Sequence, residues 1–400
     1  MKILLVTGNF AAPGINPWLL DDLADSFVSA GHEVDVVVHS PTAPRPRELR
    51  VGPSGIRVLS VGAVSAPGSA IAKLRSYLAT GFRLHTTGAR FASTGAYDLC
   101  VYTSIGLFSF GFPSRVRRRG TAARLLFVMW DFFPVHQVEI GRIRPAVLAP
   151  FLKRLERMSI RRSDVVAVMS AANEKYLKSY HRSLSADVIQ IPPWASDAQP
   201  TSPLPVKRER FTAIFGGQLV KGRGVDTLLD AAKLLELDGL PIDILIAGDG
   251  SDAAELRKRA TELKLTNVSF LGSLHREIYR TVLQTSHVGI AVTVPGISPP
   301  SFPSKIVEYC ANGLPVLVCV EASSDAGEYV QSNGAGLAAP AGDAPAIARA
   351  LGQLLSEHNA GLLEQSGIRA RSLFLSAMSS HQAVATMVAA ASGTRTETSK

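Results

Sequence analysis

The chain predicts an α/β fold built from two doubly wound domains, each a parallel sheet covered by helices. Three observations carry that expectation. Four hundred residues exceed what a single hydrophobic core organises. Short apolar runs alternate with amphipathic helical stretches, the signature of strand–helix–strand units. The two halves also open alike, with an apolar run, a glycine-bearing loop and an amphipathic helix.

Taken in order, residues 2–7 read as a strand and 8–17 as a loop rich in Gly and Pro. A helix follows with Leu20, Leu23, Ala24, Phe27 and Val28 on one face, stopped by Gly31, and then a strand at 34–38. The second half opens with a strand at 211–215, a loop at 216–224 and a helix carrying Val225, Leu228, Leu229, Ala232 and Leu235. Further strands fall at 242–247, 268–271, 288–292 and 315–320. Their nearly continuous apolar character suits strands buried on both faces. Between the halves runs IPPWASDAQPTSPLPVKRER, whose Pro and Ser content reads as a linker. The expected boundaries are a first domain at 1–193, a linker at 194–206 and a second domain at 207–375. A helix at 376–392 would pack back on the first domain, ahead of a disordered tail at 393–400. Ligands of such sheets lie beyond the carboxyl ends of the strands, so two of them are expected to face a cleft.

Composition excludes several classes. Hydrophobic residues make up 46% and charged residues 19%, an ordinary globular balance, with mean hydropathy +0.17. No apolar stretch approaches the ~20 residues of a spanning helix, and Ile3-Leu4-Leu5-Val6 is too short for a signal-peptide core. Cys100, Cys310 and Cys319 are odd in number, far apart and in apolar surroundings, which fits reduced core thiols and a cytoplasmic protein.

Charge is uneven. Residues 1–195 carry 24 Lys and Arg against 13 Asp and Glu, and the remainder 18 against 20, so the excess of +9 belongs to the first half. One cluster is Arg115, Arg117, Arg118, Arg119 and Arg124, and another is Lys153, Arg154, Arg157, Arg161 and Arg162. A third, Lys73, Arg75, Arg83 and Arg90, is interleaved with Ile71, Leu74, Tyr77, Leu78, Phe82 and Leu84. Such mixtures of basic and apolar residues, above all at 71–90 and 115–124, favour an anionic membrane surface over nucleic acid, for which no binding module is present. A solvated basic face without a partner fits the same pattern.

Residues 302–320, FPSKIVEYCANGLPVLVCV, hold the most chemistry. Ser304 is a suitable N-cap for a short helix that ends at Asn312-Gly313 and leads into a strand. Ser304, Lys305 and Glu308 fall at i, i+1 and i+4, bringing a helix N-terminus, a cation and a carboxylate within one turn. Such a turn can hold a diphosphate and a ribose together. A buried crossover helix with an ordinary i, i+3 Lys–Glu pair fits the spacing equally well. The loop 216–224, GGQLVKGRG, offers Gly217 for close backbone approach and Lys221 and Arg223 for phosphate, without the order of a Walker or dinucleotide motif. Gly248-Asp249-Gly250 follows another strand, and Gly14, within Ala12-Pro13-Gly14-Ile15-Asn16, sits in the matching loop of the first domain. Together these loops point to a phosphate-bearing ligand.

The chain resembles retaining glycosyltransferases of the GT-B architecture, family 4, in the branch that builds bacterial surface polysaccharides and glycolipids. The resemblance rests on AGHEVDVVV, YDLCVYTS, RRSDVVAVMS, GGQLVKGRGVDTLLDA, LIAGDGSDAAELRKRA, NVSFLGSLHREIY and PSKIVEYCANGLPVLV, in that order almost end to end. It implies a nucleoside-diphosphate sugar as donor, a glycan or lipid-linked acceptor, and neither a metal nor any other cofactor. By position, Glu308 matches the second of two family glutamates and would hold the donor ribose, whereas the first falls at Pro300. The backbone of residues 301–304 is expected to take its place. Lys221 matches the phosphate-binding lysine, with Gln218 where an arginine is usual and Arg223 as its substitute. Gly14, Gly217, Gly248, Asp249, Leu274, Ser304 and Lys305 complete the donor side. Trp130 stands where many members carry a histidine, and Asp131 is retained. Asn16, Trp130 and Asp131 make up the acceptor side, with Asp131 and Lys221 assigned to the chemistry. An inactive sugar-nucleotide or lipid-carrier binding partner remains an alternative, as does a nucleotide-sugar epimerase, against which the scarcity of cleft carboxylates and histidines argues.

Overall fold

The computed structural model describes residues 1–8, 10, 19–39, 48–52, 54–62, 70–103, 111–141, 149–181, 183–197 and 205–393. Met1–Met169, Glu174–Pro192 and Ser380–Lys400 form one compact unit, and Ser170–Asn173 with Pro193–Ser379 form a second.

Unit 1 is built on eight strands: β1 (Lys2–Thr7), β2 (Glu33–Val38), β3 (Glu48–Val51), β4 (Arg57–Ser60), β5 (Tyr97–Thr103), β6 (Ala122–Val128), β7 (Val165–Val168) and β8 (Asp187–Gln190). Their order is β3-β4-β2-β1-β5-β6-β7-β8, parallel except for the β3–β4 pair at the edge. Leu20, Leu23, Ala24 and Phe27 of the helix Leu19–Ser29 are buried, as the helical period requires, while Val28 is only partly covered. Gly31 (φ 82°) ends that element in a conformation only glycine adopts readily. The last helix, Ser380–Ser392, packs on Leu19–Ser29, and the Ser26 hydroxyl donates to Ser380 Oγ at 2.6 Å.

Unit 2 carries β9 (Phe211–Gly216), β10 (Ile242–Ala247), β11 (Val268–Gly272), β12 (Val288–Val292), β13 (Val316–Val320) and β14 (Gly336–Pro340). All pairs are parallel, in the order β11-β10-β9-β12-β13-β14. The winding direction reverses between β9 and β12, which makes their carboxyl ends the switch point of the sheet. Trp194 and Ala195, assigned by composition to a linker, are buried in this unit, and Ala195 bridges Ser379. An indole is too large an apolar surface to leave in water, so the proline-rich stretch here is irregular backbone laid against a core. Residues 198–204 of that stretch lie outside the described residues.

The three cysteines are buried and unpaired, and burial pushes the Cys310 and Cys319 thiols up to about 12. They are inert core groups at neutral pH. Among the described residues no helix is long and apolar enough to cross a membrane.

The loops after β9 and β10 are laced together by backbone. Gly217 N–H donates to Ala247 O at 2.9 Å, Leu219 N–H to Asp249 O at 3.0 Å, and Gly248 N–H to Gly272 O at 2.8 Å. Gly248 has φ 143°, and a Cβ there would lie 1.8 Å from the Gly217 carbonyl oxygen. Gly248→Ala should therefore destabilise unit 2 by about 2 kcal/mol or more, through strain and a backbone clash that no rotamer relieves. The urea midpoint, compared with that of the exposed Gly239→Ala, measures it.

Candidate functional site

The sequence-predicted donor residues of unit 2 follow the carboxyl ends of its strands. Gly217 follows β9, Gly248 and Asp249 follow β10, Leu274 follows β11, and the helix Lys305–Ala311 lies between β12 and β13. Tyr309 ties this helix to the end of β9, just ahead of Gly217. Strands β9 and β12 remain in register to Phe215 and Ile290, then part. The buried Tyr309 hydroxyl accepts from Gly216 N–H at 3.0 Å and donates to Ile290 O at 3.0 Å, filling the gap between the two backbones. Gly289 makes room for it, since a Cβ there would stand 2.3 Å from the ring. Burial pushes the phenol pKa up, so the group stays neutral and able to donate.

Tyr279, on the helix Arg276–Thr285, lies over the same spot. Its hydroxyl is 1.9 Å from where a Gly216 Cβ would be, and Lys305 Nζ sits 4.9 Å from its ring centroid. Lys305 is thus held over an aromatic face while it pairs with Glu308 Oε2 at 2.5 Å. The i, i+3 pair is present, and it is half-exposed at the switch point. Its cation is available to an anion and its carboxylate to hydroxyl donors.

Ser304 departs from expectation. It is exposed, has helical φ and ψ, and makes no side-chain cap to the seven-residue helix. The turn is set instead by Ile306 N–H to Pro303 O at 3.1 Å and Val307 N–H to Ser304 O at 3.2 Å. A capping hydroxyl needs an extended Ncap backbone, and Ser304 does not have one. Lys221 and Arg223 are exposed on the 217–224 loop, as is Gln218. Gly224, at the end of that loop, has φ 66°, and a Cβ there would lie 2.2 Å from Thr293 O.

The loop carrying Pro300 is anchored by a residue that local reading missed. Buried Glu321, one residue past β13, accepts from Thr293 Oγ1 (2.6 Å), Ser301 N–H (2.7 Å) and Ser301 Oγ (2.6 Å). Asn173 Nδ2 donates to Pro300 O at 2.6 Å, and Ser324 Oγ to Ser301 O at 2.5 Å. The N–H, hydroxyl and carbonyl of Ser301 are all committed within the chain, which takes Ser301 out of the expected 301–304 set. Tyr279, Tyr309, Glu321 and Asn173 act across long sequence separations. Gly216 and Gly289, which are small where bulk would clash, hinted at the two tyrosines, and nothing local hinted at Glu321 or Asn173.

In unit 1, Trp130 and Asp131 follow β6 at its carboxyl end, Trp130 partly covered and Asp131 exposed. Gly14 and Asn16 lie outside the described residues. Among the described residues, no three His, Cys, Asp or Glu side chains group where they could hold a metal ion.

Two family profiles match, one described as Glycosyl transferases group 1 over residues 201–372, the other as Glycosyl transferase 4-like domain over residues 19–194. No curated protein sequence matches the chain. Among solved structures, sucrose-phosphate synthase from Thermosynechococcus elongatus superposes with a TM-score of 0.75 at 17% identity, covering 98% of each chain. HepE of Anabaena, in complex with UDP and glucose, gives 0.68 at 16%, covering 98% of this chain and 100% of that one. An Escherichia coli structure titled as trehalose-6-phosphate bound with UDP-2-fluoro glucose gives 0.69 at 12%, covering 97% and 98%. At such identities the likeness is one of fold.

Tyr309→Phe should cost about 1–3 kcal/mol, because it strands the buried Gly216 N–H and Ile290 carbonyl while keeping the ring. Chemical denaturation measures the loss. Hydrogen exchange should place the faster opening at Gly216.

Proposed function

We propose that this chain, which belongs to the glycosyltransferases and has the GT-B fold, transfers a sugar from a nucleoside-diphosphate donor with retention of anomeric configuration. The acceptor is a glycan or lipid-linked hydroxyl at the cytoplasmic face of a membrane, in the making of bacterial surface polysaccharide or glycolipid. The observation that carries the reading is the meeting of the Gly217 and Gly248 loops with the Lys305–Glu308 pair at the unit 2 switch point.

On this reading Glu308 accepts from the donor ribose while Lys305 turns to the diphosphate. The bond from the anomeric carbon to the phosphate oxygen breaks, and Lys221 and Lys305 stabilise the charge that develops there. The acceptor oxygen bonds to that carbon on the same face, and its proton passes to the departing phosphate. Asp131 orients the acceptor. Preorganised cations carry the leaving charge, so no metal is required.

Membrane docking is supported by the helix Ala70–Arg83, which exposes Leu78 (57%) and Phe82 (69%) beside Arg75. Phe151 (52% exposed), on the helix Ala149–Arg162, adds a second apolar point beside Arg154. The 115–124 segment is not of this kind. Phe112, Pro113 and Val116 of its helix turn inward, leaving arginines outside.

Glu308→Ala should weaken nucleoside-diphosphate binding about tenfold in calorimetry without shifting the melting temperature. Unchanged affinity removes Glu308 from the site. Lys221→Ala should lower turnover about a hundredfold with a much smaller loss of donor affinity, because the added charge exists mainly in the transition state. Asp131→Ala should cut transfer and leave nucleotide binding intact. Release of nucleoside diphosphate with a panel of donors and acceptors separates this reading from an inactive binding partner, which would release none.

Association with anionic vesicles should fall as salt rises. It should also fall in Leu78→Ser/Phe82→Ser. Equal sedimentation with neutral and acidic liposomes defeats the membrane reading.

A further inference from the structure

We propose that unit 1 holds a second anion site, a concavity of about 590 Å³ that binds a molecule carrying two or more clustered phosphate groups. It lies at the amino-terminal edge of the sheet, the edge opposite Trp130 and Asp131. Arg117, Arg118, Arg124, Arg161 and Arg162 line it.

Chain geometry explains the convergence. The helix Phe112–Arg118 runs down one face and ends in Arg117-Arg118 before the chain turns into β6. The helix Ala149–Arg162 ends in Arg161-Arg162 before the chain turns into β7. Arg124 comes from the start of β6, and Asp164 and Asp187 from the starts of β7 and β8.

Five guanidinium groups face two carboxylates. Asp164 accepts from Leu125 N–H at 2.8 Å and pairs with Arg117 at 2.9 Å, so its oxygens are taken. Asp187 is largely exposed and stands 3.7 Å from Arg124, a weak contact. Arg161 reaches Ser183 Oγ at 3.5 Å, the longest of these contacts but one. Arg118 and Arg162 have no ion-pair partner among the described residues. Among the described residues, three positive charges are left uncompensated in one hollow.

Helix dipoles account for part of this, since a cation in a last turn complements the carbonyl end. Yet none of the four helix arginines donates to a terminal carbonyl of its own helix among the described residues, and Arg124 lies on a strand. Convergent forked donors with excess charge match phosphate geometry, where each guanidinium can give two parallel hydrogen bonds. A single carboxylate would neutralise one of the three charges, whereas a di- or triphosphate neutralises them all. The volume also falls within the range of small-molecule sites. Free oligophosphate and a multiply phosphorylated headgroup share this chemistry.

Arginine labelling of the full chain with phenylglyoxal, read by mass spectrometry, resolves the site separately from any diphosphate binding in unit 2. Tripolyphosphate should slow labelling of Arg118 and Arg162 at least fivefold relative to sodium chloride of equal ionic strength, with Arg90 and Arg280 unaffected. Arg118→Ala/Arg162→Ala should weaken tripolyphosphate binding about tenfold and leave the melting temperature unchanged, because neither side chain forms an ion pair among the described residues. The calorimetry is run on a Lys221→Ala/Lys305→Ala background. Protection by tripolyphosphate alone identifies a free anion. Protection by neutral vesicles doped with phosphatidylinositol bisphosphate, beyond that of phosphatidylserine vesicles of equal charge, identifies a headgroup. Equal labelling in tripolyphosphate and chloride, or undiminished binding by the double variant, overturns the site.

Discussion

The phenol of Tyr309 is the constraint on which the unit 2 site depends. A doubly wound sheet must open where its winding reverses, and two backbones then lose their partners at the point where a ligand would sit. Here one neutral hydroxyl serves both, taking the Gly216 N–H and giving to the Ile290 carbonyl. Because Tyr309 adjoins Glu308 on the same short helix, seating the phenol also sets where Lys305 and Glu308 lie. The glycines at 216 and 289 follow from this, one leaving space for Tyr279 and the other for Tyr309 itself.

This division also accounts for what could be read from the sequence. The strands of unit 2 are continuous apolar runs, and their helices keep a 3.6-residue period, so both are encoded within about ten neighbouring residues. The Gly217, Gly248 and Lys305–Glu308 positions were legible because turn glycines and one-turn spacings are local. Tyr279, Glu321 and Asn173 were not, since each acts on a partner distant in sequence and looks locally like core or surface. Ser304 failed in the other direction. A serine before a helix is a sound N-cap signal, but its backbone here is already helical, so the hydroxyl cannot reach back. Trp194 shows the same limit: composition reports backbone irregularity, whereas burial depends on what the rest of the unit folds against it.

Charge in unit 1 illustrates how clustering in sequence and clustering in space differ. The arginine groups near 117 and 161 lie some forty residues apart, and as sequence each resembles a solvated basic turn. The parallel β6–β7 pair brings both helix ends to one edge and merges them into a single hollow. The helix Ala70–Arg83 is different, since exposed Arg75 shares one element with exposed Leu78 and Phe82. Equal net charge can therefore serve two kinds of surface, a planar amphipathic one and a concave polar one.

The loop at Pro300 is anchored by side chains from outside it. Glu321 supplies a carboxylate from the strand side and accepts from three donors, so its buried oxygens are satisfied. Asn173 secures the Pro300 carbonyl. The anchoring thus points inward, and Ser301 is consumed by it. Any hydroxyl recognition by this loop therefore falls to the turn that follows, Phe302 to Lys305, where Pro303 has no N–H and Ser304 keeps an exposed hydroxyl. A site read by backbone groups discriminates less sharply among hydroxyl configurations than one built around a buried acid, because a single N–H offers one bond where a carboxylate offers two.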